Sequence, residues 1–246
     1  MKIRVGLQQS IEKSGTILSG LGVFLVGGFL VAAAAAWAFG EFAETVVAGQ
    51  TQAFDDSILR WMGAHHSKLL DNAMLEITAL GTGTVVLMIV AVASLFLVLT
   101  RHRYSAILLV VATTGGIPLD MVLKNFFNRP RPHIFAWGTN AASSSFPSGH
   151  AMSAAIVYST VAYLAARLQR RAWARWTVMT FAFIVIILIA VSRLYLGVHY
   201  PSDVLAGLTV GLGWAAFCMA TLEAIQRFGK RSAPEIQKDE IPAPEV

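Results

Sequence analysis

The chain has 246 residues, 56% hydrophobic and only 13% charged, with a formal net charge of +5 and a mean hydropathy of +0.62. A soluble domain carries about 25% charged residues, so this balance sets aside an ordinary water-soluble globule and points to lipid as the solvent. The positive excess marks the basic loops of an integral membrane protein rather than a nucleic-acid partner, and Cys218, the only cysteine, excludes an intrachain disulfide and argues against a cysteine-based metal cluster.

Residues 1–16 carry Lys2, Arg4 and Lys13 and read as an N-terminal arm on the cytoplasmic side. Six apolar stretches follow that can span a bilayer, at roughly 17–39, 74–99, 105–126, 150–167, 176–195 and 204–225. The expected fold class is therefore all-α, a six-transmembrane-helix bundle over residues 17–226. The first stretch exceeds the roughly 7–15 residues of a signal-peptide core and reads as a retained anchor. Between the first two spans, at about 41–72, Glu41, Glu44, Asp55, Asp56 and Asp71 outnumber Arg60 and Lys68. There Ile58, Leu59, Trp61 and Met62 predict a short helix lying in the membrane interface. The third span contains Asp120 and ends at Lys124; the fourth is the shortest and most polar. Trp37, Trp137, Trp173 and Trp176 fall near span ends, as an aromatic belt requires. The seven glycines at 81, 83, 115, 116, 207, 211 and 213 are expected to let helices pack closely. Residues 227–246 mix proline, lysine and acids without apolar periodicity, so a disordered cytoplasmic tail is expected.

Orientation follows from the basic loops. Arg101 and Arg103, then Arg167, Arg170, Arg171 and Arg175, then Arg227, Lys230 and Arg231 all fall on the side of the N-terminal arm. That side is cytoplasmic, which places both termini inside a cell inner membrane. Lys124, Arg129, Arg131 and Arg193 run against this bias on the opposite, periplasmic or exterior side. Either they snorkel to headgroups or they hold an anion.

Three segments meet on that side. Lys124 to Pro132 reads K-x6-R-P, Pro147 to His150 reads PSGH, and Ser192 to Asp203 reads S-R-x5-H-x3-D. Complete, in order and between spans, these motifs resemble those of the type-2 phosphatidic acid phosphatase superfamily, and the resemblance covers about residues 55–225. It implies a membrane lipid phosphatase that hydrolyses a phosphomonoester or pyrophosphate through a phosphohistidine intermediate. By the same resemblance, His199 is the nucleophile, and His150 is the general acid and then the base for water. Lys124, Arg131, Ser148, Gly149 and Arg193 bind phosphate, and no metal or cofactor is needed. Undecaprenyl pyrophosphate or a glycerophospholipid phosphate, such as phosphatidic acid or phosphatidylglycerophosphate, is the expected class of substrate. Two alternatives stand beside it: a phosphotransferase with a non-water acceptor, and a protein that binds or transports a lipid phosphate without chemistry. The oligomeric state is left open.

The residue chemistry agrees with these roles. A transferring phosphoryl group needs preorganised cations and donors around its oxygens. Pro130 and Pro132 stop a helix from running through Arg131. Ser148 can cap the fourth span or donate to phosphate, and the free N–H groups there favour an anion. Asp203 lies four residues after His199, with Pro201 suited to a first helical turn, so the carboxylate can orient the ring by accepting from Nδ1–H. Asp120, four residues before Lys124, is expected to position it. Arg129 lies outside the motif register and is left between headgroup and phosphate. His133 is read as lining the loop, His65 and His66 lack a spaced partner for metal, and His102 goes with the cytoplasmic basic residues.

Overall fold

The computed structural model describes residues 26–136, 138–139 and 143–231, with side chains as far as 226. Among these residues the chain is all helix and loop. The helices are α1 (Val26–Val47), α2 (Gln52–Ala64), α3 (Lys68–Ala79), α4 (Gly83–Leu99), α5 (Arg103–Phe127), α6 (Gly149–Leu168), α7 (Ala172–Tyr195) and α8 (Pro201–Arg231). Five of them, α1 and α5 to α8, are long and apolar enough to cross a membrane; α3 and α4 pass the same test only as a pair, bent by 49° at their break.

Three boundaries differ from expectation, each for a physical reason. The expected first span stops at Phe39, but α1 continues to Val47; its predicted beginning, 17–25, lies outside the described residues. Glu41 and Glu44 break the hydropathy yet face outward, while Phe39, Ala43 and Val46 keep a helical spacing and are buried. The second span, expected to be continuous over 74–99, is broken at Leu80–Thr82. The carbonyls freed at the break are taken up by α6, Leu80 by the Tyr158 hydroxyl at 2.9 Å and Gly81 by Ser153 Oγ at 3.3 Å. At the other end, α8 runs on to Arg231 where a tail from 227 was expected; residues 232–246 lie outside the described set.

The central element is α6, half of whose spanning window is buried, against 11% for α1. It packs on α4, α5, α7 and α8. Val86, Leu109, Ala112, Met152, Ile156 and Leu222 form the heart of the core. The approach of α6 to α8 depends on missing side chains: a Cβ on Gly207 would lie 2.5 Å from the Ser148 carbonyl oxygen, and one on Gly211 would lie 2.6 Å from that of Met152. Gly115, Gly116 and Gly213 likewise each face a side chain of another helix, whereas Gly83 faces open space and is not a packing glycine. The outward faces are apolar. Trp37, Trp173 and Trp176 are all largely exposed, and Trp137 lies outside the described residues.

The helix expected around Ile58 to Met62 is α2. Its two buried residues, Asp55 and Leu59, share one face, and Trp61 on another is exposed. The turns between α2, α3 and the bundle are tied by Tyr195, whose hydroxyl donates to Asp71 at 2.8 Å and accepts from the Ser67 N–H at 3.1 Å.

Candidate active site

The end of α5, the start of α6, the end of α7 and the start of α8 meet at one end of the bundle. Every motif residue lies there.

Lys124, in the last turn of α5, pairs with Asp120 one turn earlier at 2.9 Å, the positioning contact expected from the spacing. Gly149 faces this pair. A Cβ there would come within 2.6 Å of the lysine Nζ and 3.0 Å of the carboxylate, so the glycine lets Lys124 reach the start of α6. Arg131 is buried and its guanidinium is gripped by main-chain oxygens. Nε donates to Ser143 O at 2.8 Å, and one terminal nitrogen donates to Val198 O at 2.7 Å while lying 3.1 Å from His199 Nε2. Arg193 is buried at the end of α7 with one terminal nitrogen on Thr78 Oγ1 at 2.7 Å; its Nε has no partner among the described residues.

Ser148 precedes α6 and was left between two roles. Its hydroxyl makes no cap bond, and its buried Oγ has no partner among the described residues. Capping is thus not its job here. A buried hydroxyl and an arginine Nε, each without a partner among the described residues, suit an anion with several oxygens. His150, in the first turn of α6, packs its ring against Gly81 at the α3–α4 break. It faces His199, Arg193, Lys124 and Arg131 across this site.

His199 sits in the tight connection between α7 and α8 and is 2% exposed. Its Nδ1 lies 2.8 Å from the Ser145 carbonyl oxygen. A carbonyl can only accept and a guanidinium can only donate, so Nδ1 carries the proton and Nε2 presents its lone pair. The Asp203 carboxylate is 3.6 Å from Nδ1, beyond hydrogen-bond reach. The expected Nδ1–H bond to Asp203 is therefore replaced by one to Ser145. The reason is competition: one Asp203 oxygen takes the Tyr200 N–H at 2.8 Å, and the other takes Arg129 at 2.6 Å. Burial pushes the His199 imidazole down to about 4; the neighbouring Asp203 opposes this, and Arg131 and Arg193 add to it.

Three contributors were not read from the sequence. Arg129, left between headgroup and phosphate, is clamped between Asp203 and Asp55, at 2.6 and 3.0 Å, and stacks on Tyr200 at 4.1 Å. Asp55 was counted only as part of an acidic loop. The signal was there, since Asp55, Leu59 and Met62 fall on one face of α2 and an acid within an apolar stripe asks for a buried partner. The run Ser143 to Ser145 supplies the oxygens that hold Arg131 and His199, and Ser144 Oγ caps the Lys124 carbonyl at 2.9 Å. His133 is exposed in the loop after Pro132. His65 and His66 each bond locally, to Trp61 O and Asp71. Among the described residues no three His, Cys, Asp or Glu side chains are placed to hold a metal ion.

A cavity of about 250 Å³ leads from Lys124 and His150 down between α4, α5 and α6, where Val86, Ile117, Met121 and Ile156 line it. A larger one, about 480 Å³, lies at the opposite end among Arg101, Arg103 and Arg167 and contains none of the converging residues.

Comparison with known proteins gives one consistent result. A family model described as the PAP2 superfamily matches residues 103–227. Phosphatidylglycerophosphatase B of Bacillus subtilis is 32% identical over 181 residues, 73% of this chain and 89% of the relative. The undecaprenyl-diphosphatase of Sulfolobus acidocaldarius is 31% identical over 140 residues, 55% of this chain and 63% of the relative. The crystal structure of a transmembrane PAP2-type phosphatidylglycerolphosphate phosphatase from Bacillus subtilis superposes with a TM-score of 0.74 at 29% identity, over 84% of this chain and 99% of that one.

Proposed function

Because the chain belongs to the PAP2 superfamily and is a membrane lipid phosphatase, we propose that its substrate is a lipid phosphomonoester or pyrophosphate, hydrolysed through a phosphohistidine on His199. The observation that carries the lipid reading is the lining of the cavity at Lys124 and His150: those two and Asp120 make one part polar, and Val86, Leu87, Ile117 and Met121 of α4 and α5 make the rest apolar. A phosphate with attached tails fits that polarity; a free sugar phosphate does not. Phosphatidylglycerophosphate and undecaprenyl pyrophosphate are the first candidates, because relatives bear those names.

The geometry supports the roles that the resemblance implies. Lys124, Arg131 and Arg193 supply charge from three segments, and Ser148 Oγ and the first N–H groups of α6 supply donors. An arriving phosphate oxygen takes over the Arg131 N–H that His199 Nε2 accepts, which frees the lone pair for attack. His150, on the same side, protonates the leaving oxygen and then activates water. The arginines of the loops at the other end put that end on the cytoplasmic side, so the site faces the periplasm or exterior.

Purified protein in detergent is expected to release free phosphate from a panel of lipid phosphates and pyrophosphates, with a rate unchanged by EDTA. Phosphate appearing only on an added lipid or sugar acceptor would instead mark a transferase. No turnover on any member would leave a binding protein.

A pH dependence follows from the buried nucleophile. His199 must be neutral to attack, and its pKa lies near 4 rather than at the ordinary 6.5. Above about pH 4 the lone pair is free; below it the ring is protonated and inert. After correction for ionisation of the substrate phosphate, the acid limb of kcat/KM assigned to His199 should lie near 4. A limb near 6.5 would contradict the desolvated nucleophile.

A further inference from the structure

Three charged side chains from three separate segments are buried together next to the nucleophile loop: Asp55 of α2, Arg129 of the loop after α5 and Asp203 of α8. Both carboxylates are 0% exposed and the Arg129 side chain is 12% exposed. The guanidinium donates to Asp203 Oδ1 at 2.6 Å, to Ser202 Oγ at 2.8 Å and to Asp55 Oδ2 at 3.0 Å. Asp55 also accepts the Ser202 N–H at 3.0 Å and the Thr51 hydroxyl at 3.1 Å, so α2 is fastened to the first turn of α8.

Arg129 acts through its main chain as well. Its carbonyl oxygen accepts the Ser145 N–H at 2.9 Å and the Ser145 hydroxyl at 3.3 Å. The two oxygen groups facing His199 Nδ1 are the Ser145 carbonyl, at 2.8 Å, and the Asp203 carboxylate, at 3.6 Å. One residue therefore holds both, the first through its backbone and the second through its guanidinium. We propose that Arg129 is a positioning residue for the nucleophile, anchored by Asp55 of α2: it fixes the acceptor of the Nδ1–H and keeps Asp203 from drawing a second proton onto the ring.

The charges explain the second half of that role. Two carboxylates and one guanidinium leave the cluster one unit negative, and Asp203 is the member nearest the ring. The other charged or titratable groups that face His199 are Arg131 at Nε2, Arg193 of α7 and His150 of α6. Without Arg129, Asp203 would act on the imidazole unopposed and favour its protonated form, in which Nε2 cannot attack. Arg129 reaches neither Lys124 nor the phosphate-binding donors, so substrate affinity should not depend on it.

The proposal rests on His199 as nucleophile, and its test separates the two. Arg129→Gln is expected to lower kcat by about 100-fold, in the range of a lost orienting group, with KM within about threefold. The acid limb of kcat/KM should move up by about one pH unit relative to wild type. Arg129→Lys keeps the charge but loses the fork, and should recover part of both changes. Removing Arg129 alone strands two buried carboxylates, so the single variant is paired with Asp55→Asn/Arg129→Gln, which retains the cluster's net charge and should still show the raised limb. A kcat within threefold of wild type in Arg129→Gln would overturn the proposal. So would a fall in kcat with an unmoved acid limb in the folded double variant, or failure of all three variants to fold, since either makes the cluster purely structural. Hydrolysis that persists in His199→Ala would remove the nucleophile itself, a separate and visible failure.

Discussion

Replacing His199 by alanine is expected to lower lipid-phosphate hydrolysis by at least about 10⁴-fold, as removal of a covalent nucleophile does elsewhere. That is about 5 kcal/mol of barrier. The size follows from the chemistry around the ring. In the proposed reaction the site cations lower the energy of the transition state, but none forms a bond to phosphorus. Lys124 is held by Asp120, Arg131 by Ser143 and Val198 carbonyls, and Arg193 by Thr78. His199 presents an Nε2 lone pair fixed in direction, because the Ser145 carbonyl accepts the Nδ1–H. The variant should still fold and still bind substrate, so KM is expected to stay within a few-fold while kcat collapses. Phosphate release followed over hours, with substrate binding measured in parallel, checks both halves.

Replacing His150 by asparagine should cost about 10²- to 10⁴-fold on a lipid ester, the usual range for a lost general acid–base. Here the loss depends on the leaving group. An alkoxide leaves poorly without a proton, whereas an aryl oxide such as nitrophenolate leaves unaided. With an activated aryl phosphate the first half-reaction should therefore proceed, and water attack on the phosphohistidine should stall for want of a base. The expected trace is a burst near one equivalent of aryl oxide followed by slow turnover. The geometry supports the division of labour: His150 starts α6 and His199 closes the α7–α8 turn, so the two rings reach the phosphate from different elements. If the variant slows both kinds of substrate equally with no burst, His150 is a phosphate ligand and not the proton carrier.

The residues that converge at the candidate site were legible because short-range rules govern them. Histidine four residues before aspartate, lysine four after aspartate and proline around an arginine all constrain local geometry, and the structure brings each into the one site. Gly149, expected to bind phosphate, is also where the Lys124–Asp120 pair comes closest to the start of α6, which the sequence did not suggest. What escaped was long-range or hidden by averaging. Asp55 and Arg129 are 74 positions apart, and nothing in either segment alone says that they pair. The Ser145 carbonyl that displaces Asp203 from the imidazole is main chain, and backbone carries no residue-type signal. Hydropathy averaged over the second span hid the break at Leu80–Thr82, because Gly81 is neutral on such a scale. That break matters for function: its carbonyls are held by Ser153 and Tyr158 of α6, and its missing Cβ leaves room for the His150 ring.

The atom to which phosphorus becomes bonded decides whether His199 is the nucleophile. Protein mixed with substrate carrying labelled phosphate, quenched in base within the first turnover and digested, should carry an acid-labile, base-stable label on the peptide containing His199. With a labelled aryl phosphate as substrate, the label should accumulate to near one equivalent in His150→Asn. Label on any other residue, or His199→Ala protein that acquires label and hydrolyses at the wild-type rate, would contradict that assignment.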